Sequence, residues 1–560
     1  MPIAEISVAR LGRLIGKNLP IQELQQILAE IGSDVEPESA GDTLKINLLP
    51  ARPDLFDVAG LARALKGYLG FETGFKVYRF NDSGVTVRVE ESIRAIRPYI
   101  AAAIVKGLSV DEQLLKELME MQENLHWGLG RDRRRASIGI YDLATIQPDF
   151  IYRAVKPDGI KFIPLGGIPE KPDAPVTPAE ILSLHPKGQA YRHLIKDFPA
   201  YPLLTDREGK ILSLPPIINS EDTKLSPATK DLFIDVTGPD EWAVKKCINI
   251  LTAALADLGG EVQKVTIAYP DGERWQTPGM ETQEISLELE DVVKVIGIPF
   301  TKEEVISLLK KMRYDAKMPT QESRLKVIVP AYRSDILHPW DIIEDIAIAY
   351  GYHRLPARPI PTVTTSRPLE IEEISQLCRS LLIGLGFIEI VTLCLTNPEA
   401  QFSKLGIEDD GLSVMIENPV SIEQTMLRRH LLTGLLETFS RNSTQPYPQN
   451  IFEIGDVFYL HSGAETGTIA QRHIAIGIAD AKTGFSDIKS VIETLARELN
   501  FPIAFAPKEQ PPFLLGRCAV LQNPKPIGIA GEVHPEILER FGLTVPVVLA
   551  EIDITYLVSL

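Results

Sequence analysis

The chain has 560 residues, and domains commonly contain about 100 to 200 residues, so the sequence predicts several domains rather than one core. Hydrophobic residues make up 44% and charged residues 24%, which is typical of a folded globular protein and excludes a disordered or fibrous one. The formal net charge of −17 argues against a protein that coats nucleic acid by itself, because phosphate binding depends on Lys and Arg. The sequence predicts no transmembrane helix, since it has no apolar run near 20 residues.

The first residues and the cysteines indicate a cytoplasmic protein. The segment MPIAEISVARLGRLIGKNLP has no apolar core followed by a small-residue cleavage site, so we expect no secretory signal. The cysteines show no Cys-x-x-Cys spacing, which disfavours both a disulfide framework and a zinc site. We expect buried thiols at all four positions, Cys247, Cys378, Cys394 and Cys518.

Four segments follow one another along the chain. Residues 1–85 combine short strands with a helix in IQELQQILAEIG and another after Asp54, which predicts a small α+β module. Residues 86–268 mix strands and helices and end in the helix WAVKKCINILTAALADLG and the strand KVTI. A third segment covers 271–355, and prolines from 356 to 368 predict a linker before the last segment, 369–560. The expected fold class is therefore α+β, multidomain.

A cluster of acids lies in PAYRSDILHPWDIIEDIAIAYGY. Proline is typical of a first helical turn and glycine of a helix exit, so Pro339 and Gly351 predict a helix over 339–350. At about 100° per residue, the three acids of this helix share one face, and like charges four apart cost roughly 0.2 to 0.5 kcal/mol. A cation should compensate them, and oxygen ligands favour Mg²⁺. The alternative is that the acids complement the positive end of the helix. The four residues are Asp335, Asp341, Glu344 and Asp345.

The largest basic cluster lies in LHWGLGRDRRRASIG. Its arginines, taken alone, are typical of a solvated turn. The neighbouring His126 and Trp127 could meet an RNA end by stacking and charge, or could simply pack at a strand edge. The cluster consists of Arg131, Arg133, Arg134 and Arg135.

The run from Asp335 to Tyr352 resembles the B5 module of phenylalanyl-tRNA synthetase β subunits, where an acid is followed at +6, +9 and +10 by three more. The resemblance implies that the four acids hold a Mg²⁺ ion shared with the α subunit. Asp345 departs from the pattern, because Glu is frequent at its position.

Other stretches resemble the same family in the same order. ARPDLFDVAGLARALKGYLG is similar to its B1 signature, although Ala51 stands where Asn is common. LHWGLGRDRRRASIGIYDL, LSLPPIINSEDT and LFIDVTG resemble its B3/B4 editing domain. ENPVSIEQTMLRRHLLTGLL, NIFEIGDVF and GIAGEVHPEIL resemble its B6/B7 unit. LSLPPIINS with DVTG, together with the length, indicates the archaeal and eukaryotic type, since the bacterial subunit carries two further modules.

The last segment resembles a class II synthetase domain, with an antiparallel sheet, but departs from the pattern that binds ATP. Such domains use the Arg of an Arg-x-Glu strand and a second Arg near a glycine-rich final strand to neutralise phosphate charge. Ile451 stands two residues before Glu453, and PVVLAEIDITYLVSL has neither glycine nor arginine. The resemblance therefore implies a non-catalytic domain that packs against a catalytic α subunit in an (αβ)₂ heterotetramer, with ATP used by the holoenzyme.

The middle segment is expected to correct mischarging. An apolar activation pocket rejects an added hydroxyl by only about 10²-fold, so tyrosine that is attached to tRNA(Phe) requires a second, hydrolytic site. Asp235 is the candidate acceptor for the tyrosine hydroxyl, and Thr237, Ser213 and Asn219 are candidates for holding the ester or its attacking water. No Ser-His or Cys-His pairing is evident, which favours a positioned water. Asp235 could instead be an ordinary strand-end or turn acid, and Ser213 and Asn219, which flank Pro215 and Pro216, could be turn formers.

The expected function is that of a phenylalanine–tRNA ligase β subunit. It would support ATP-dependent charging of tRNA(Phe) by the α subunit and would hydrolyse Tyr-tRNA(Phe). Two alternatives remain at this stage, a free-standing deacylase and a Mg²⁺-dependent phosphohydrolase built on the acid cluster.

Overall fold

The computed structural model describes residues 3–36, 41–47, 49–108, 110–169, 172–317, 324–360, 362 and 364–558. The chain forms two compact units, Met1–Arg358 and Pro359–Leu560, and the division falls within the proline-containing stretch that the sequence predicts as a linker. Each unit contains helices and sheets, which confirms the mixed α and β multidomain class. None of the helices in the described ranges has both the length and the apolar character that crossing a membrane requires.

The first unit begins with a three-stranded antiparallel sheet, in the order β1-β3-β2, and three helices. The two helices expected in this segment are confirmed as α2 and α3. Asp57 begins α3 by accepting hydrogen bonds from the N–H groups of Ala59 and Gly60, which satisfies donors that the helix itself leaves free. The elements are β1 (Ile3–Ser7), α1 (Val8–Ile15), α2 (Ile21–Glu30), β2 (Asp34–Val35), β3 (Thr43–Asn47) and α3 (Val58–Tyr68), with a 3₁₀ turn at Pro53–Leu55.

A ten-stranded sheet forms the centre of the first unit. Nine strands follow the order β10-β9-β8-β7-β4-β12-β5-β11-β6, and β13 pairs with β12. Its helices and strands are β4 (Asn81–Val89), β5 (Tyr99–Lys106), α4 (Glu112–Trp127), β6 (Ser137–Asp142), β7 (Phe150–Val155), α5 (Pro178–Leu184), α6 (Pro186–Tyr191), β8 (Tyr201–Asp206), β9 (Ile211–Leu214), β10 (Ile218–Asn219), β11 (Leu232–Gly238), α7 (Glu241–Asp257), β12 (Glu261–Ala268) and β13 (Arg274–Thr277). Along the chain, the sheet thus begins before residue 86 and ends after residue 268, the limits that the sequence predicts for this segment.

The two faces of this sheet pack against different layers. Ala101, Ala103 and Val105 of β5 belong to a core shared with α7, whereas the alternate residues Ile100 and Ala102 belong to a second core on the opposite face. This alternation is the period-2 pattern of a strand that is buried on both sides. Because α7 covers one face, the side chains on the other face are free to build a site.

The sheet curls so that its two ends approach each other. β6 is the last strand at one end, and β9 and β10 form the other end. The side-chain amide Nδ2 of Asn219 lies 3.4 Å from the carbonyl oxygen of Ile140, and the hydroxyls of Tyr141 and Ser213 are 2.8 Å apart. Side chains rather than backbone pairs therefore join the two ends.

The first unit closes with a small sheet in the order β14-β16-β15, packed against three helices. α10 runs from Pro339 to Tyr350, as the sequence predicts. The elements are β14 (Gln283–Glu288), α8 (Leu289–Ile296), α9 (Lys302–Lys311), β15 (Asp315–Lys317), β16 (Arg324–Val329) and α10 (Pro339–Tyr350).

The second unit is built on a seven-stranded sheet in the order β17-β20-β21-β25-β24-β23-β22, antiparallel except between β17 and β20. β18 and β19 form a separate pair. The elements are α11 (Glu370–Gly384), β17 (Ile388–Glu389), β18 (Leu395–Thr396), α12 (Pro398–Gln401), β19 (Met426–Leu427), α13 (Leu432–Arg441), β20 (Gln449–Leu460), β21 (Thr468–Ala479), α14 (Phe485–Glu498), β22 (Ala504–Pro507), β23 (Phe513–Asn523), β24 (Lys525–Val533), α15 (Pro535–Arg540), β25 (Val547–Asp553) and α16 (Thr555–Val558).

Three of the four cysteines are buried, as expected, but Cys394 is exposed. It precedes β18, a two-residue strand that pairs with the equally short β19, so little structure covers it.

Candidate functional site

A cavity of about 450 Å³ lies in the gap between the two ends of the curled sheet. Its size is within the range of about 300 to 1,000 Å³ that small-molecule sites usually have. The walls come from β6, from β9 and β10, from α4, and from the start of α6. The lining includes Ser137, Ile138, Gly139, Ile140, Tyr141, Ser213, Pro215, Asn219 and Asp235, with Gln122, Glu123, Arg133, His185 and Lys187 around them.

Asp235 of β11 provides the buried carboxylate of the cavity. Its Oδ1 accepts a hydrogen bond of 2.6 Å from the hydroxyl of Tyr141, which also lies 2.8 Å from Ser213 Oγ. A phenol has one proton, so Tyr141 donates to Asp235 and accepts from Ser213. Gly139 permits this contact, because a Cβ there would lie 2.0 Å from the Tyr141 hydroxyl.

Among the described residues, no cation pairs directly with Asp235. Burial raises the pKa of its carboxyl to about 7, while the Tyr141 hydrogen bond and the charge of Arg97 act in the opposite direction. Its second oxygen, Oδ2, has no hydrogen bond to any described residue, although Asp235 lines the cavity. The site therefore offers an unused acceptor on a half-ionised acid, which is the kind of perturbed group that marks functional sites.

Thr237 lies behind the cavity rather than in its lining. Its hydroxyl accepts a hydrogen bond of 3.1 Å from Nε of Arg97 and lies 3.1 Å from Ser137 Oγ. Arg97 is itself buried, and burial lowers its pKa to about 10. Thr237 thus connects Arg97 to the wall, whereas the other three candidates from the sequence, Asp235, Ser213 and Asn219, all line the cavity.

Helix α4 holds the free edge of β6 with two side chains, His126, for which the sequence left two roles open, and Gln122, which no sequence pattern indicates. The Ile138 N–H donates to His126 Nε2 at 2.7 Å, and the Ile138 carbonyl accepts from Gln122 Nε2 at 2.6 Å. Burial lowers the pKa of His126 to about 4, so it is neutral with the proton on Nδ1. Its role in this structure is to satisfy a strand edge, one of the two possibilities that the sequence left open.

Arg133 connects the same wall to the opposite end of the sheet. Its guanidinium donates to the carbonyls of Pro216 and Ile217 at 3.2 and 2.9 Å, and to Glu123 at 2.7 Å. The side chain is buried over the ring of Tyr191. Nothing in the sequence separates Arg133 from its neighbours in the basic cluster, because the separation depends on the contacts that the fold supplies.

The acid cluster is organised around an arginine. Arg333 donates through Nε and Nη2 to the two oxygens of Asp335, at 2.8 and 2.6 Å, and through Nη2 to Asp345 at 2.7 Å. The hydroxyl of Tyr314 also donates to Asp345. Burial lowers the pKa of Arg333 and the charges of Asp345 and Asp335 raise it, with the net effect well above its usual value. The cation that we expected from the sequence to compensate these acids is therefore, in this structure, the guanidinium of Arg333.

The remaining two acids have different surroundings. Asp341 accepts hydrogen bonds from the N–H groups of Leu337 and His338, at 2.8 and 2.7 Å, so it caps the beginning of α10. Glu344 is exposed. For Asp341, the structure favours the helix-end alternative.

As they are arranged here, the four acids do not fit one shared Mg²⁺ ion. Asp335 and Asp345 both face Arg333, and Arg52 lies 4.0 Å from Asp335. In the described part of the chain, no group of three or more His, Cys, Asp or Glu side chains is arranged to hold a metal. Magnesium stays a prediction from the resemblance.

In the second unit, Ile451 is a buried residue of β20, and two nearby arginines are already engaged. Arg428 donates to Glu453 at 2.6 Å and to the Asp456 carbonyl at 2.8 Å. Arg429 forms a bidentate pair with Asp410. The sequence missed these cations because they come from the segment before α13 and not from β20, but neither is free for a phosphate.

Two protein-family models match the chain. The tRNA synthetase B5 domain matches residues 285–352, and the phenylalanyl tRNA synthetase beta chain CLM domain matches residues 355–554. A protein of Methanosphaera stadtmanae named phenylalanine–tRNA ligase beta subunit is 37% identical over 99% of this chain and 99% of its own length. One of the same name from Methanocaldococcus jannaschii is 39% identical over 99% of this chain and 100% of its own. The chain belongs to the phenylalanine–tRNA ligase β subunit family.

A solved structure of this family covers most of the first unit. It is an N-terminal fragment of the phenylalanyl-tRNA synthetase beta-subunit from Pyrococcus horikoshii, 39% identical, with a TM-score of 0.59. The match covers 62% of this chain and 99% of the fragment. The family assignment from sequence is confirmed, and the relatives named here are archaeal, in agreement with the expected type.

Proposed function

We propose that this chain serves in the cytoplasm as the β subunit of a phenylalanine–tRNA ligase and itself hydrolyses mischarged Tyr-tRNA(Phe). The observation that carries the proposal is the cavity with Asp235, whose carboxylate has one oxygen held by Tyr141 and the other unused by any described residue. A cavity of this volume has room for a tyrosyl side chain, whose hydroxyl can donate to Oδ2.

Selectivity follows from the cost of leaving a buried polar group without a partner. Tyrosine would satisfy Asp235 Oδ2, whereas phenylalanine would remove water from the carboxylate and give it no hydrogen bond. The raised pKa of Asp235 fits this role, because such a carboxyl is partly ionised near neutral pH and accepts strongly. A site of this kind accepts the wrong amino acid and rejects the right one.

Hydrolysis would use a water held by the cavity. Ser213 is engaged by Tyr141, and His126 points its acceptor nitrogen at Ile138, so neither is arranged as an activated nucleophile and base. Ser213 and Asn219 line the cavity, and we assign them to orienting the ester and the water. No covalent intermediate is needed, since a positioned water together with the terminal ribose hydroxyl can supply the attacking oxygen.

Activation of phenylalanine with ATP is assigned to an α subunit. We regard the second unit as a class II-like domain without catalysis, because three arginines described beside β20, Arg428, Arg429 and Arg472, are all held by carboxylates. We accordingly propose an (αβ)₂ assembly in which ATP and phenylalanine bind the α chain. Magnesium, if bound by this subunit, requires a different arrangement of the acids around Arg333.

The test is the Asp235→Asn variant in the complex reconstituted with its α subunit. We expect phenylalanine charging to be unchanged and hydrolysis of Tyr-tRNA(Phe) to fall about 10- to 100-fold, the loss of one hydrogen bond to a charged group. Asp231→Asn, at an acid just before β11 that binds the Gly107 N–H outside the cavity, is the matched control. Unchanged clearance of Tyr-tRNA(Phe) by the Asp235 variant rejects the assignment.

The isolated chain, prepared without an α subunit, separates the alternatives. A free-standing deacylase would clear Tyr-tRNA(Phe) at full rate without any α chain. A phosphohydrolase would release phosphate from a phosphate ester in the presence of Mg²⁺. We expect the isolated chain to do neither efficiently.

A further inference from the structure

The loop between α4 and β6 holds an unusual backbone. Arg131, Asp132 and Arg133 have φ values of 46°, 52° and 65°, three consecutive residues in the left-handed region that side chains other than glycine rarely adopt. Such strain persists only where the surrounding contacts determine it, and it is concentrated at functional sites.

Arg133 supplies those contacts from inside the loop. Its guanidinium is fixed by Glu123 and by two carbonyls across the cavity gap, and its own carbonyl accepts a hydrogen bond of 3.2 Å from Arg97. Arg135 is also occupied, in an ion pair of 2.6 Å with Asp240. The loop is therefore rigid, and it is attached to the cavity wall itself.

The two other arginines of the loop face solvent. Arg131 and Arg134 are exposed, and neither side chain has a hydrogen bond or an ion pair with any described residue. The strained backbone thus turns Arg133 inward and leaves its neighbours outward. A local excess of positive charge results, because five cations of this region face three carboxylates in a chain with a net charge of −17: Arg131, Arg133, Arg134, Arg135 and Lys187 against Glu123, Asp132 and Asp240.

We propose that Arg131 and Arg134 bind phosphodiester groups of the tRNA acceptor strand while its aminoacyl end occupies the cavity. The proposal rests on the proposed function and adds the RNA contact that the cavity lacks. An aminoacyl ester that enters the cavity leaves the phosphates of its strand outside, and guanidinium groups pair with phosphate in a bidentate manner. Because Arg133 holds the loop backbone, RNA binding has only the two arginine side chains to order, and phosphate contacts of this kind position an acceptor strand regardless of its sequence.

The experiment uses the reconstituted αβ complex with Arg131→Ala and Arg134→Ala combined. Deacylation of Tyr-tRNA(Phe) should show a KM raised about tenfold with kcat unchanged. The slope of log KM against log salt should fall by about 1.4, the value for two single-strand phosphate contacts. Hydrolysis of tyrosine esterified to adenosine, which contains no phosphodiester, should be unaffected. Replacing both arginines by lysine should restore most of the salt dependence.

Arg207→Ala is the matched control, because Arg207 is exposed in the same sheet between β8 and β9 and its side chain has no described partner. If the wild-type complex clears Tyr-tRNA(Phe) and the double variant has the same KM and salt slope, the inference is overturned while the proposed function stands. If the variant loses its α subunit instead, the surface is a protein contact and the inference is also overturned. A wild-type complex that does not clear Tyr-tRNA(Phe) overturns both.

Discussion

The cavity and the acid cluster both bury aspartates, but the two regions neutralise them differently. Asp345 is paired with the guanidinium of Arg333 and the hydroxyl of Tyr314, so its charge is compensated within the chain. Among the described side chains, Asp235 has only the Tyr141 hydroxyl as a hydrogen-bond donor, and burial raises its pKa to about 7. A buried acid is costly to separate from its cation, whereas a buried acid without a cation, next to open space, is a candidate for binding a ligand.

The largest expected effect is in the compensated region. Arg333→Met should lower the free energy of unfolding of the first unit by about 3 to 5 kcal/mol, because it leaves the buried carboxylate of Asp345 without its cation. All four tryptophans, at 127, 242, 275 and 340, lie in this unit, so tryptophan fluorescence during urea unfolding reports on it alone. Arg324→Met, at an exposed arginine of β16, should change stability by less than about 0.5 kcal/mol. If the two substitutions lower the free energy of unfolding equally, Arg333 does not compensate buried charge in the way proposed.

In the cavity, by contrast, we expect that removing the charge of Asp235 will raise the free energy of unfolding. A carboxyl whose folded pKa is raised stabilises the fold below its unfolded pKa, 3.8, and loses that contribution as pH rises through about 7. Since a tenfold change in proton affinity corresponds to about 1.4 kcal/mol, Asp235→Asn should be more stable than wild type by up to about 4 kcal/mol at pH 8. At pH 5 this advantage should shrink to less than half. Urea unfolding at both pH values measures it, and a variant less stable at pH 8 contradicts the account.

A smaller loss of stability is expected within α10, where one acid caps the helix and another is exposed. Asp341→Ala removes the acceptor for two N–H groups at the helix start and should cost about 1 kcal/mol. Glu344→Ala, one turn further on and exposed, should cost less than about 0.5 kcal/mol. Thermal unfolding followed by circular dichroism distinguishes them. Identical losses would mean that both acids share a function, as a metal site would require.

No effect at all is expected from chelation of the isolated chain. Arg333 already neutralises Asp335 and Asp345, so adding EDTA should leave the unfolding midpoint unchanged. A midpoint that falls with EDTA and recovers with Mg²⁺ would show that the acids release the arginine and bind the ion.

The sequence predicts those features that depend on local patterns. α10 appears between the expected limits because Pro339 and Gly351 act within a few residues of the helix. The hairpin of β12 and β13 has a local signal too, an Asp-Gly pair at 271–272 between the strands. The predicted segment ends at 268 and therefore does not include β13.

The cavity depends on contacts that no local pattern encodes. Tyr141 and Asp235 are 94 positions apart, and they meet because β6 and β11 pair in one register. The position of Thr237 also depends on such contacts. Its residue type suits a catalytic role, but its hydroxyl binds Arg97 behind the cavity and is not part of the lining. Arg333, by contrast, stands two residues before Asp335. The sequence therefore contains enough information to predict that this arginine is the cation that compensates the acids.

The meeting of the two sheet ends has a consequence for association between molecules. An edge strand such as β6 pairs with a neighbour, β11, on one side only, and the peptide groups of its other side can promote edge-to-edge pairing of copies. Here the cavity lies at that edge, and His126, Gln122 and Asn219 bind three peptide groups of β6, the Ile138 N–H and the carbonyls of Ile138 and Ile140. We therefore expect these side chains to oppose aggregation, so replacing Gln122 or Asn219 of the cavity lining for altered selectivity should carry a risk of polymerisation that substitutions at Asp235 do not.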